Sequence, residues 1–85
     1  MKVGEKYYFI IHAYYHYLGT VVEILGTQRV VINDVVRVHS CQRGFTEFFE
    51  DGCENDTVMT FWPDGKEFTY LDATPWPHAI PKRKK

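Results

Sequence analysis

Eighty-five residues, 45% hydrophobic, 16% aromatic and 25% charged, describe one small globular domain near the lower size at which a chain folds alone. The formal net charge is −1, but the chain ends Lys82-Arg83-Lys84-Lys85, and without those four residues six basic side chains face eleven acidic ones, a balance of −5. An acidic body argues against a broad nucleic-acid footprint, which needs Lys and Arg across the docking face, and no apolar stretch approaches the roughly 18 residues of a membrane-spanning helix.

Met1 to Lys6 is a lead-in segment loosened by Gly4. Tyr7 to Tyr17 is a long aromatic and β-branched run, and period-2 alternation predicts a single strand. Tyr7, Phe9, Ile11, Ala13, Tyr15 and Tyr17 fall on one side and are the candidate core. Tyr8, Ile10, His12, Tyr14 and His16 fall on the other, an amphipathic face suited to an interface or a binding surface. Leu18-Gly19 allows a bend, Thr20 to Leu25 is a second strand, and Gly26-Thr27-Gln28 is a turn. Arg29 to His39 is a third strand in which Asn33-Asp34 breaks the alternation and marks a turn or bulge.

Phe45, Phe48 and Phe49 then switch to the i, i+3, i+4 spacing of a helix, predicted over about 45–51 with Gly52 as its stop. This helix is expected to cover one end of the fold. Cys53 to Asp56 reads as an acidic loop. Thr57 to Trp62 is a fourth strand, and Pro63-Asp64-Gly65-Lys66 is a turn that leads into a fifth, Glu67 to Leu71, as a hairpin. The prolines at 75 and 77 keep the last segment extended and present Trp76 to the body or to a neighbouring subunit. The expected architecture is therefore mostly β: a five-stranded, strongly bent SH3/Sm-like barrel over 1–72 with one short inserted helix. An extended Pro/Trp arm and a basic tail follow over 73–85. The tail reads as a solubilising end with at most a weak pull on acidic surfaces.

Catalytic and metal chemistry find little footing. On one strand, His12 and His16 would stand roughly 13 Å apart, too far to share an ion. Cys41 and Cys53 lack the close pairing of a zinc site, and in a reducing compartment they are expected to be small core or loop thiols. His39 and Cys41 would lie about 7 Å apart on an extended chain, without oxyanion donors. Asp51, Glu54 and Asp56 do not follow the calcium-loop spacing. There is no nucleophile elbow, phosphate loop or dinucleotide fingerprint. The expectation is a non-enzymatic protein with no metal and no cofactor. With no charged, apolar leader at its start, it is expected in the cytoplasm.

Tyr17-Leu18-Gly19-Thr20-Val21-Val22-Glu23-Ile24 followed by Val30-Val31-Ile32-Asn33-Asp34-Val35 resembles the first motif of Sm-like proteins, including the bacterial Hfq type. Gly19 and Asp34 stand at that motif's fixed points. The turn is one residue longer, Arg29-Val30 replaces the polar pair that holds bases, and no Arg-Gly precedes the last strand. The resemblance therefore implies the fold and ring-like self-association, but not the family's RNA site. The whole chain also resembles short proteins encoded by bacteriophages and mobile elements, in its opening Met1-Lys2-Val3-Gly4-Glu5-Lys6-Tyr7 and its closing Asp72-Ala73-Thr74-Pro75-Trp76.

Together these point to a phage-type accessory protein in a bacterial host's cytoplasm. It would be a homo-oligomer binding a small nucleotide-like ligand or a short nucleic acid, and it could sequester a host signalling nucleotide to counter host defence. Tyr14 would stack on the base, His12 and His16 would hydrogen-bond, and Arg43 would pair with phosphate. The alternative is an acidic inhibitor or adaptor that docks a host protein through Glu47, Glu50 and Asp51, with Trp76 as a further interface residue. A virion structural subunit is the third possibility.

Overall fold

The structure, a computed structural model, describes residues 1–12, 15–41, 44–53 and 57–81, and only the backbone of His12. Six strands and one helix follow in order: β1 (Lys6–His12), β2 (Tyr15–Gly26), β3 (Arg29–Cys41), α1 (Phe45–Asp51), β4 (Thr57–Phe61), β5 (Lys66–Thr69) and β6 (Asp72–Pro75). The strands form one antiparallel sheet in the order β4-β3-β2-β1-β6, with β5 also on β3. The mostly β class with one inserted helix holds. The sheet has six strands rather than five, and it stays open instead of closing into a barrel.

The run Tyr7 to Tyr17 is not one strand. It folds back on itself, with Phe9 opposite Tyr17 and Ile10 opposite His16. Both arms carry the same apolar alternation, so the pattern continues across the reversal, and Ala13-Tyr14 offers no Gly or Asn turn signal. Those two residues lie outside the described ones. Along β2 the chain then passes straight through Gly19, which packs so closely on Ile32 that a Cβ would overlap that side chain. The turn at Thr27-Gln28 returns the chain as β3, with Gly26 opposite Arg29.

The Asn33-Asp34 interruption is a bulge. Leu18 faces Val36 and Thr20 faces Asn33, so β3 carries one extra residue there, and Asp34 adopts φ 55°. This bulge also explains the fate of the predicted β4–β5 hairpin, which does not form. Both strands lie end to end along the same edge of β3, Phe61 opposite Val36 and Lys66 opposite Ile32. The Pro63–Gly65 turn steps past the bulge between them. The Asp34 N–H donates to Asp64 Oδ1 and the Gly65 N–H to Asn33 Oδ1, each at 2.9 Å. Gly65 takes φ 81°, as a turn glycine should, but it serves a jog and not a reversal.

Because neighbours on a strand point to opposite faces, the sheet carries a core on each side. Tyr7, Phe9, Tyr17, Val21, Val30, Ile32 and Val35 form one cluster, closed by Phe68 and Tyr70 as the sheet curls over itself. Phe9 and Phe68 meet edge to face at 5.1 Å although β1 and β5 are not paired. Tyr8, Leu18, Val36, Val38, Phe48 and Trp76 form the other cluster. Here α1 lies on the sheet face rather than over a barrel end. A two-turn helix is marginal alone, and packing holds this one: Phe48 is fully buried, with Phe45 and Phe49 half-buried beside it. The Gly52 N–H donates to Phe48 O at 2.8 Å and ends the helix at φ 84°, the expected stop.

The segment after residue 71 joins the sheet. β6 pairs with β1, Tyr8 opposite Thr74. Trp76 follows directly and is 3% exposed, stacked on Phe48 at 5.1 Å. No helix among the described residues is long and apolar enough to cross a membrane.

Candidate functional site

Where the helix meets the sheet, the packing leaves a solvent-open groove of about 390 Å³, lined by Tyr8, Ile10, His16, Phe45, Thr46, Phe49, Glu50 and Thr74. Strand β1 supplies Tyr8 and Ile10, two residues apart and so on one face. His16 comes from β2 opposite Ile10, and Thr74 from β6 opposite Tyr8. One side of α1 supplies Phe45, Thr46, Phe49 and Glu50.

A buried polar pair sits at the groove's inner wall. Tyr8 Oη and His16 Nδ1 are 2.5 Å apart, and His16 is 8% exposed. Burial pushes the Tyr8 phenol well above its usual range, with the nearby Cys41 adding a smaller push in the same direction. The phenol therefore keeps its proton, and the two side chains share one buried hydrogen bond whose direction is set by the imidazole tautomer. The His16 ring lies flat on Phe45, with centroids 3.9 Å apart and planes 8° from parallel. Tyr8 is ringed by Phe48, Phe49 and Trp76 at 5.8–6.1 Å. The result is an aromatic wall with a few polar groups at its edges, the usual make-up of a small-molecule site.

The amphipathic face read from the sequence is thus present in part, and it is assembled differently. Tyr8 and His16 share the groove, but as partners on adjacent strands rather than as neighbours along one. His12 ends β1 opposite Tyr15. Tyr14 and Arg43 lie outside the described residues, as do Glu54, Asp56 and the basic tail from Lys82. Glu47, Glu50 and Asp51 are exposed on α1, and Glu50 also lines the groove. Of the two placements expected for Trp76, the structure shows the body: the ring is buried in the chain's own second core. His39 bonds Thr60 Oγ1 at 2.6 Å, while Cys41 packs against the second core.

Sequence reasoning missed Phe45, Thr46, Phe49 and Thr74 as site residues. The i, i+3, i+4 phenylalanines announced an apolar helix face, but not that the face would be only partly covered. Thr74 could not be placed without knowing that β6 pairs with β1. No protein-family model, no curated protein and no solved structure matches this chain.

Proposed function

We propose that this protein is a non-enzymatic binding module that holds a nucleotide-like small molecule or a short nucleic acid, base first, in the groove between α1 and the sheet. The observation that carries this reading is the aromatic wall of Tyr8, Phe45 and Phe49 around a cavity of about 390 Å³, with a hydrogen-bonded Tyr8–His16 pair at its back. Flat rings suit flat bases, and imidazole and hydroxyl groups orient them. Arg43, two residues ahead of α1, is the candidate phosphate partner. In the phage setting that the chain's opening and closing imply, such a module would sequester a host signalling nucleotide.

Self-association belongs to the same reading. Pairing with β1 ends at Thr20, so beyond Val21 the β2 strand has a partner on one side only among the described residues. That free edge carries Val22, Ile24 and Leu25, each about two-fifths exposed. An apolar strand edge of this kind is a natural pairing site for a second copy.

Native mass spectrometry of the protein taken straight from its producing cells tests both parts. An oligomer carrying an adduct of nucleotide mass, lost in Phe49→Ala, is the expected result. A bare monomer would reject the reading.

The acidic-adaptor reading draws on Glu47, Glu50 and Asp51, all exposed on one helix. Charge reversal at Glu47 and Asp51 separates the two readings. It would abolish capture of a basic protein partner under the adaptor reading and leave nucleotide binding intact under the groove reading.

A further inference from the structure

We infer that the groove selects guanine among the bases, and that Glu50 makes the selection; this rests on the groove reading above. Glu50 is the one acidic side chain among the groove's described lining residues, and no Lys or Arg is among them. The other polar lining groups are the Tyr8 and His16 pair and the hydroxyls of Thr46 and Thr74. Tyr8 and His16 already bond each other at 2.5 Å.

A carboxylate only accepts hydrogen bonds, and its two oxygens match a partner with two parallel N–H donors. Guanine offers that edge, N1–H beside the 2-amino group. Adenine places the N1 lone pair next to its amino group, and cytosine does the same with N3. Uracil and thymine flank one N–H with two carbonyl oxygens. Each of those three patterns turns at least one lone pair toward the carboxylate, which repels it. The His16 ring already covers one face of Phe45. Phe49 and Glu50 are consecutive on α1 and both line the groove, so a base stacked on Phe49 would lie beside the Glu50 carboxylate. The cavity of about 390 Å³ falls within the range of small-ligand sites and admits a purine.

Calorimetric titration with guanosine, inosine and adenosine tests the inference. Inosine keeps N1–H and lacks the 2-amino group, so it removes one of the two bonds. The expected order is guanosine, then inosine, then adenosine, with guanosine ahead of adenosine by about tenfold or more, the size of a charge-assisted hydrogen bond. Glu50→Gln is expected to erase most of that preference, weakening guanosine and strengthening adenosine, because an amide can donate to the N1 lone pair and accept from the adjacent amino group. Phe49→Ala is expected to weaken all three nucleosides together. Equal binding of guanosine and adenosine by the unaltered protein, or a preference that survives Glu50→Gln, overturns the guanine assignment and leaves the groove reading standing. No binding of any nucleoside overturns both.

Discussion

On one face of the sheet, Phe9 meets Phe68 and Tyr70 because the sheet curls and β5 closes over β1. On the other face, Tyr8 meets Phe48 and Trp76, which arrive on a separate helix and a separate C-terminal segment. The first closure is made by β5, which β3 already holds in register, and its rings meet those of β1 and β2. The second is a lid made of two pieces, each with its own attachment to the sheet. Where lid and sheet are distinct elements, their surfaces need not match everywhere, and the mismatch is the groove. The candidate site therefore belongs to the face that is closed by separate elements.

Trp76→Ala set against Phe9→Ala gives the largest test of this difference. Each removes a buried aromatic, and each is expected to lower unfolding free energy by about 3–5 kcal/mol in urea titration. That is a large share of the roughly 5–15 kcal/mol that holds a native domain together. Phe9→Ala should weaken the whole sheet in one transition. Trp76→Ala should in addition speed amide exchange in α1 more than in β2 and β3, because the helix loses the ring on which Phe48 stacks. Equal acceleration in all elements would mean that the two faces unfold as one unit.

Gly19→Ala probes the first face and is expected to cost about 1–3 kcal/mol, since the new methyl overlaps Ile32. Pairing it with Ile32→Val, measured by the same titration, should recover part of the loss. Here the sequence was informative: Gly19 stood out as a bend or bulge, and Asn33-Asp34 as an interruption. The interruption proved to be the bulge, while Gly19 proved to be a close approach of two strands. The chain reversal after His12 and the end-to-end placement of β4 and β5 were not legible, for one shared reason. Alternation and turn residues specify which face a side chain takes and where the backbone is free to turn, but not which neighbour a strand chooses. Pro63-Asp64-Gly65 has the chemistry of a hairpin turn, and a bulge thirty residues earlier uses it otherwise. The same gap hid half of the groove. Tyr8 and His16 were on the right face of the pattern, but that Thr74 and the helix would enclose them depends on pairing that no local signal carries.

Tyr8→Phe tests the polar pair on the second face. It keeps the ring and leaves His16 Nδ1 buried without the phenol, for an expected loss of about 1–3 kcal/mol at neutral pH. The pH dependence is more specific. In the unfolded chain Tyr8 ionises near its ordinary value of 10.0, whereas the folded chain holds it protonated. Its contribution is intact below pH 10 and declines as pH rises above it, by up to about 1.4 kcal/mol per pH unit. Tyr17, on the other face, is also raised by burial, against a smaller opposing pull from the Arg37 charge. Tyr8→Phe should therefore flatten the alkaline decline without abolishing it, and adding Tyr17→Phe should flatten it further. An unchanged slope in Tyr8→Phe would show that its phenol ionises freely in the folded state.

The smallest expected effect concerns the strap that holds the lid. After Trp76 the chain crosses α1, where His78 Nε2 donates to Phe49 O at 2.9 Å and Lys6 Nζ donates to His78 O at 2.6 Å. The His78 ring lies against Gly52, the helix stop, so closely that a Cβ there would come within 3.0 Å. One residue thus joins β1, the end of α1 and the C-terminal segment. His78→Ala removes the bond to Phe49 and should lower global stability by only about 0.5–1.5 kcal/mol. It should act mainly on the groove: Phe49 loses its anchor, α1 amides exchange faster, and β2–β3 amides keep their protection once the global loss is subtracted. His78→Gln retains a side-chain N–H donor and should restore part of the α1 protection. If exchange in α1 is unchanged in His78→Ala, Phe48 and Trp76 hold the lid by themselves, and the groove is as rigid as the core on the other face.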